Sequence, residues 1–330
     1  MKTKLLILFS VGLFTINMKA QFSLVGHEEV SKLKKTKTYV VLSDDNENFN
    51  KQITAAVNKE WKQTEFDFIY YKDLNKYSHS SKNSFLMMTG KGYKYEGDKF
   101  FDGVGQVISH TQFYDPNPIK NPKMVVDDVA VSSHMLTLQI GGKDFCGPVG
   151  NFNQIQKNWM FFCYLGVDYV GAYSSKMTTY ISLLNNAVDL VIENKLKRLF
   201  VNEYKKLIDK KISLKENEII FWEKDIPQIN QMEKSNKKFL NKAEIRKFFS
   251  GRFSIVDDDE LDEIINKKDD KYLFLGAYVD CRPTYGAISY IYLYNSLGEI
   301  KYFSNIYVES VETVIWFKKV LKKLDNAVKK

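Results

Sequence analysis

A chain of 330 residues with 44% apolar and 27% charged residues is long enough for two domains, and its 14% aromatic content excludes an intrinsically disordered chain. The formal charge of +8 comes almost wholly from lysine spread along the whole length. That pattern reads as a solvated surface rather than a nucleic-acid groove, which needs arginine and aromatic residues clustered on one face.

The chain opens on "MKTKLLILFSVGLFTINMKAQ", a basic start, an apolar run over residues 5–14 and a polar stretch ending at Ala20. This is the layout of a secretory signal peptide over residues 1–20, and ten apolar residues are too few to cross a bilayer. Removing it takes away Lys2, Lys4 and Lys19 and leaves 45 basic against 40 acidic residues, or +5. No Cys follows the apolar run to carry a lipid anchor, and no later stretch reaches the ~18 apolar residues of a transmembrane helix. The expectation is a soluble exported protein, periplasmic with extracellular as the alternative.

Three cysteines remain, Cys146, Cys163 and Cys281, and export places them where disulfides persist. Cys146 and Cys163 flank one Gly-rich loop and form the candidate pair; three buried thiols are the alternative. His27, His79, His110 and His134 are scattered without metal-ligand spacing, and no metal or cofactor is expected.

After the leader, "KTYVVL" (residues 37–42) is a β-branched strand bounded by the turn-forming "SDDNEN". Phe49, Ile53, Ala56, Val57 and Trp61 then recur at helical spacing, with Asn46 or Asn48 as N-cap. "FDFIYY" is a second strand, Leu74 and Tyr77 mark a short helix, and "SFLMM" is a third strand. The same order recurs later. "NEIIFW" is a strand; Asn241 with Glu244 begins a helix burying Ile245, Phe248 and Phe249; "RFSIV" is a strand; Asp257 with Glu260 caps a helix carrying Leu261, Ile264 and Ile265; and "YLFLGAYV" follows. Phe68 to Phe85 and Ile255 to Tyr272 are both intervals of 17 residues.

Each half continues into hairpins, "MLTLQIGGKDF" and "ISYIYLYNSLGEIKYF", and closes with a helix, from Met177 to about Lys210 and from Ser310 to about Val328. Tyr290, Tyr292 and Tyr294 share one strand face, read as a sheet face covered by a helix rather than an aromatic ligand platform. Val314, Phe317, Leu321 and Leu324 make the apolar stripe of the last helix. Lys318, Lys319, Lys322 and Lys323 are its solvated side, with a weak contact to an acidic surface as the alternative. The expected fold is α/β with α+β additions. It consists of two duplicated modules, residues 21–212 and 213–330, each strand-helix-strand-helix-strand followed by a β-hairpin and a closing helix.

In topology this order resembles the N-terminal α/β domain of TolB-type periplasmic proteins. "LKKTKTYVVLSDDNENFNKQITAAVNKEW", together with the "MKAQ" end of the leader, resembles uncharacterised secreted proteins of Bacteroidota. The resemblance implies an envelope location and carries no functional residues.

No Gly-x-Ser-x-Gly elbow, Walker loop or His-Glu-x-x-His helix occurs. "GKGYKYEG" lacks dinucleotide-loop spacing and reads as hairpin turns, while "VDDDELDE" lacks the central Gly of a calcium loop and suits a helix N-terminus. Asp127 and Asp128, as neighbours on a strand, point to opposite faces and do not converge as an acid/base pair. No catalytic residue is assigned.

The halves differ most after "FLMMTG", where residues 91–123 form an insertion holding Tyr93, Tyr95, Phe100, Phe101, His110, Phe113 and Tyr114, then the Pro-rich "DPNPIKNP". Insertions on a shared scaffold are where binding surfaces sit, and Phe113 and Tyr114 are the candidate binding residues. The expectation is a binding or scaffold protein for a protein partner or a cell-envelope component, with no nucleic acid and no transmembrane segment. A hydrolase acting on an envelope substrate in a cleft between the modules is the alternative.

Overall fold

The computed structural model of the chain describes residues 27–44, 46–96, 99–109, 112–114, 129–143, 145, 159–167, 176–196, 208, 214–223, 241–282, 286–308 and 313–329; over 89–135, 159–167, 277–290 and 308–316 the description is of backbone path and register. The leader, His110, Asp127, Asp128 and Cys146 lie outside the described residues.

A short helix α1 (His27–Leu33) buries Val30 and Leu33 and leads into β1 (Lys37–Leu42). Helix α2 (Glu47–Glu60) starts where the Asn46 side chain accepts the Phe49 amide at 2.9 Å, and it buries Phe49, Ile53, Ala56 and Val57. Strand β2 (Phe66–Tyr70) follows, then a single 3-10 turn, helix α3 (Leu74–Ser78) and strand β3 (Asn83–Glu96). β1 lies between β2 and β3, parallel to both, with Tyr39 opposite Asp67 on one side and Phe85 on the other. Three antiparallel additions complete this seven-stranded sheet. β6 (Val129–Ile140) pairs with β3, β7 (Trp159–Val167) pairs with β6, and β4 (Lys99–Ser109) with β5 (Gln112–Tyr114) extends β3 beyond the reach of β1.

Because side chains alternate along a strand, the two faces of this sheet sort cleanly. Val40, Leu86, Met88, Leu136 and Leu138 lie with α1, α2 and α4 (Lys176–Ile192), whereas Val41, Ile69, Phe85 and Met87 lie with Leu74 of α3. At the edge where the parallel strands begin, a buried chain of hydroxyls ties these pieces together. The Trp61 indole N–H reaches Thr64 at 3.2 Å, and Thr64 is 2.5 Å from Thr38; Thr38 is 2.8 Å from Ser84, Ser84 is 2.7 Å from Thr36, and Thr36 donates to the Leu33 carbonyl at 2.8 Å. Thr36 Oγ1 is placed to donate both to Ser84 Oγ and to the Leu33 carbonyl and has one proton, so it serves one of the two at a time.

The second half forms a second mixed sheet with its own helices. Strand β8 (Glu218–Trp222) is followed by α5 (Lys242–Arg246), β9 (Arg252–Val256), α6 (Asp258–Lys267), β10 (Tyr272–Arg282), β11 (Gly286–Tyr294), β12 (Ile300–Val308) and α7 (Thr313–Val328). Both capping boxes expected from the sequence are formed: Glu244 N–H donates to Asn241 at 3.0 Å and Glu260 N–H to Asp257 at 2.9 Å, and each glutamate accepts the cap residue's own amide. The five-stranded sheet runs β9-β8-β10-β11-β12, with β8 parallel to β9 and β10 and the last two strands antiparallel. In the first sheet the corresponding path is β2-β1-β3-β6-β7. Here α5 and α7 share one face with Ile219, Phe221, Phe253 and Leu273, and α6 lies on the other with Ile220, Trp222, Val256 and Phe274.

The layers therefore run α3, first sheet, a central helical layer of α1, α2, α4 and α6, second sheet, then α5 with α7. One apolar core passes through the central layer from Val40 and Leu86 of the first sheet to Phe274, Tyr292 and Tyr294 of the second. Helix α4 is the shared element. Met177, Tyr180, Ile181, Leu183, Leu184, Ala187, Val188 and Val191 are all buried, so nearly its whole circumference is covered, as expected of a helix interior to a protein.

Three sequence expectations differ. Helix α4 stops at Ile192 rather than near Lys210, because Asn194 takes a left-handed conformation (φ 57°) and Leu196 N–H turns back to the Leu190 carbonyl. Gly90 and Gly92 lie inside β3, not in a turn. The equal intervals of 17 residues do not join equivalent rows of the two sheets: from Asp67 to Phe85, both beside Tyr39, is 18 residues, and from Phe253 to Leu273, both beside Ile219, is 20. The crossover helices account for the difference, since α6 has ten residues where the 3-10 turn and α3 together have eight.

Candidate functional site

The arm made by β3 beyond Met88, β4 and β5 contains two strands, β4 and β5, with no counterpart in the second half, where β10 continues beside β11 to Arg282. β1 pairs with β3 only as far as Met87, and from Gly90 onward β4 takes that side of β3. In the second half β10 connects to β11 across residues 283–285 alone. The segment expected as a turn-rich insertion is thus mostly strand through Tyr114; the Pro-rich part beyond it lies outside the described residues.

Register assigns the arm's residues to two unlike faces. Lys91 is opposite Val104, Tyr93 opposite Asp102, Tyr95 opposite Phe100, and Tyr114 opposite Gln106. These residues share a face, so Tyr93, Tyr95, Phe100 and Tyr114 form an aromatic side continuous with the α3 face of the sheet. On the other face Gly90 is opposite Gly105 and Gly92 opposite Gly103, while Phe101, Val107 and Phe113 lie further along. Four glycines in a block put no side chain at those four register positions. Phe113 and Tyr114, expected as one binding pair, are consecutive on β5 and so occupy opposite faces. The same-face partners of Tyr114 are on β3 and β4, and their signal in the sequence is the period-two spacing of Tyr93 and Tyr95.

The other expected features fall elsewhere. Cys163 is on β7 opposite Leu136 in the first sheet, and Cys281 is on β10 opposite Ala287 in the second; Cys146, its proposed disulfide partner, lies outside the described residues. His27 is on α1 beside Ser31, and His134 is on β6 opposite Gly90. Among the described residues no group of three or more His, Cys, Asp or Glu could hold a metal ion, and no helix is long and apolar enough to cross a membrane. Tyr292 and Tyr294 are buried in the core, their rings 5.7 Å apart, as a covered sheet face. The carboxylates of "VDDDELDE" serve the start of α6. Asp257 caps it, Asp258 accepts the Trp222 indole N–H at 2.8 Å, and Asp262 is raised from its ordinary value by burial, then by Asp258 and Asp259.

Where the halves meet, the contact is closed by α4. Thr179 and Tyr294 hydroxyls are 3.3 Å apart, and the Lys176 ammonium lies 5.3 Å from the Trp222 ring centre. At its rim Lys268 reaches both oxygens of Glu60, at 3.1 and 3.2 Å, and Lys59 donates to Asn266 at 2.5 Å.

No protein-family model matches the chain, and neither a curated protein nor a solved structure matches it at a significant level.

Proposed function

We propose that the chain is an exported binding or scaffold protein of the cell envelope, built by internal duplication, whose partner is engaged by the aromatic face of the β3–β4–β5 arm. The duplication is supported by the recurrent strand path and by helix placement. In each half the first crossover helix and the closing helix share one face of the sheet, and the second crossover helix takes the other. Residues 1–20 are the signal peptide in this reading, and the product is periplasmic.

The observation that carries the binding role is the arm itself. By register Tyr93, Tyr95, Phe100 and Tyr114 fall on one face of three strands, of which β4 and β5 have no counterpart in the second half, where residues 283–285 join β10 to β11. Tyr and Phe supply large contact area at low conformational cost, which suits a protein interface.

The test is affinity capture by the full mature chain from envelope extract. A partner retained by the parent, lost on Tyr93→Ser with Tyr114→Ser, and kept on Phe113→Ser supports the reading. A partner indifferent to both changes, or turnover in a broad hydrolase screen, argues against it.

A further inference from the structure

The closing helix α7 sets four lysines in a strip two residues wide and two turns long: Lys318, Lys319, Lys322 and Lys323 stand at i, i+1, i+4 and i+5. Its other side is fixed inward, with Phe317, Val320, Leu321 and Leu324 all buried to within 1%. Beside it is α5, joined through Asp325, which accepts from both the amide and the hydroxyl of Ser250 at 2.7 and 2.6 Å. Lys318 and Lys322 stand over the ring of Phe248, the residue after Lys247, at 5.7 and 5.6 Å.

Counting charge shows how concentrated this surface is. Residues 241–251 hold three cations against Glu244, and residues 313–329 hold five against Asp325, giving +2 and +4. These 28 residues therefore carry +6 of the chain's +8, leaving +2 for the other 302. Lysines at i and i+4 repel one another and lower helix stability. The helix dipole favours cations only in the last turn, so it does not account for Lys318 and Lys319 in mid-helix. Among the described residues no ion pair ties Lys242, Lys247, Lys319 or Lys323 to a carboxylate.

We infer that the α5–α7 face docks on an anionic phospholipid surface, independently of the arm's partner. The chemistry is that of a headgroup layer. The cations are mostly lysine, hydrated point charges suited to diffuse attraction, and the one arginine of α5, Arg246, is occupied with the Ser250 and Gly251 carbonyls at 3.1 and 2.6 Å. The apolar side of α7 belongs to the core, so attachment is electrostatic, at headgroup depth, without insertion. Nucleic acid would call for arginine and exposed aromatic rings, and Phe248 is half-covered beneath its lysines.

The experiment is sedimentation of the mature full chain with vesicles of phosphatidylcholine alone and with ~30% phosphatidylglycerol, at low and physiological salt. The parent should bind only the anionic vesicles, less at the higher salt. Each lysine near such a surface is worth about fivefold, so Lys242→Gln, Lys247→Gln, Lys319→Gln and Lys323→Gln together should weaken binding by about 600-fold. The four Lys→Arg changes should keep it, and neither variant should melt below the parent. Equal binding to both vesicles, no binding by the parent, parent-like binding by the Gln variant, or tighter binding to a DNA duplex than to anionic vesicles would each overturn the proposal.

Discussion

Gly298 lies against the backbone of Ser182: a Cβ built on it would stand 2.3 Å from the Ser182 carbonyl oxygen. It is the point at which the β11–β12 turn of the second half seats on α4 of the first. Its φ of 79° is also in the left-handed region, and Asn295 holds the turn by accepting the Leu297 and Glu299 amides at 3.1 and 2.9 Å. Gly298→Ala meets both obstacles, and the opposing atoms are helix backbone that cannot rotate away. It should cost at least about 2 kcal/mol in a denaturant titration. A cost within ~0.5 kcal/mol would mean that the turn does not rest on α4.

Since one core runs through both halves, they should not unfold separately. Leu184→Ala, in the middle of α4, should lower stability by about 2–5 kcal/mol. Far-UV dichroism and tryptophan fluorescence, with Trp61 in the first half and Trp222 in the second, should still report one coincident transition. Two separated transitions would show that the modules are independent units.

What the sequence made legible was local. Asn241 with Glu244, and Asp257 with Glu260, announce their helices through a reciprocal hydrogen-bond pattern that needs no tertiary partner. The strands around Val40, Ile69, Phe85, Ile219 and Leu273 are legible for the same reason, as short β-branched or aromatic runs. Strand β3 beyond Met88 is not, because Gly90 and Gly92 read as turn residues; their place in a strand depends on β4 and β6 pairing with them across the sheet. The end of α4 is missed because Asn194 is an unremarkable residue until its left-handed backbone is seen. The arm's aromatic face depends on register, which alternation suggests but only pairing fixes.

The hydroxyl chain from Trp61 to Leu33 has Ser84 at its centre, fully buried between Thr36 and Thr38. Ser84→Ala removes the contacts to Thr36 and Thr38 at once and takes from both buried hydroxyls a hydrogen-bond partner. The expected loss is about 1–3 kcal/mol, more than a hydroxyl exposed to water would cost. Thr38→Val, which keeps the shape, tests the coupling in a double-mutant cycle with Ser84→Ala. The double change should cost less than the two single changes added together, and strict additivity would show that the hydroxyls act separately.

Asp325 gives the outer helix pair a pH dependence. Burial acts to raise its carboxyl, but hydrogen bonds from Lys329 and from the Ser250 hydroxyl and amide outweigh that and hold it at about 2, below its ordinary 3.8. A carboxylate lowered on folding contributes stability that is fully present above the unfolded value, near pH 4, and is lost as pH falls toward 2. Asp325→Asn keeps an acceptor for the Ser250 amide but not the charge. The variant should therefore lie below the parent in urea midpoint at pH 6, by an amount on the order of 1 kcal/mol given the partial exposure of Lys329 and its screening. The gap should close between about pH 4 and pH 2, as the parent's carboxylate takes up its proton. A gap that stays constant down to pH 2 would show that Asp325 acts through shape rather than charge, and that the contact between α5 and α7 does not depend on its ionisation.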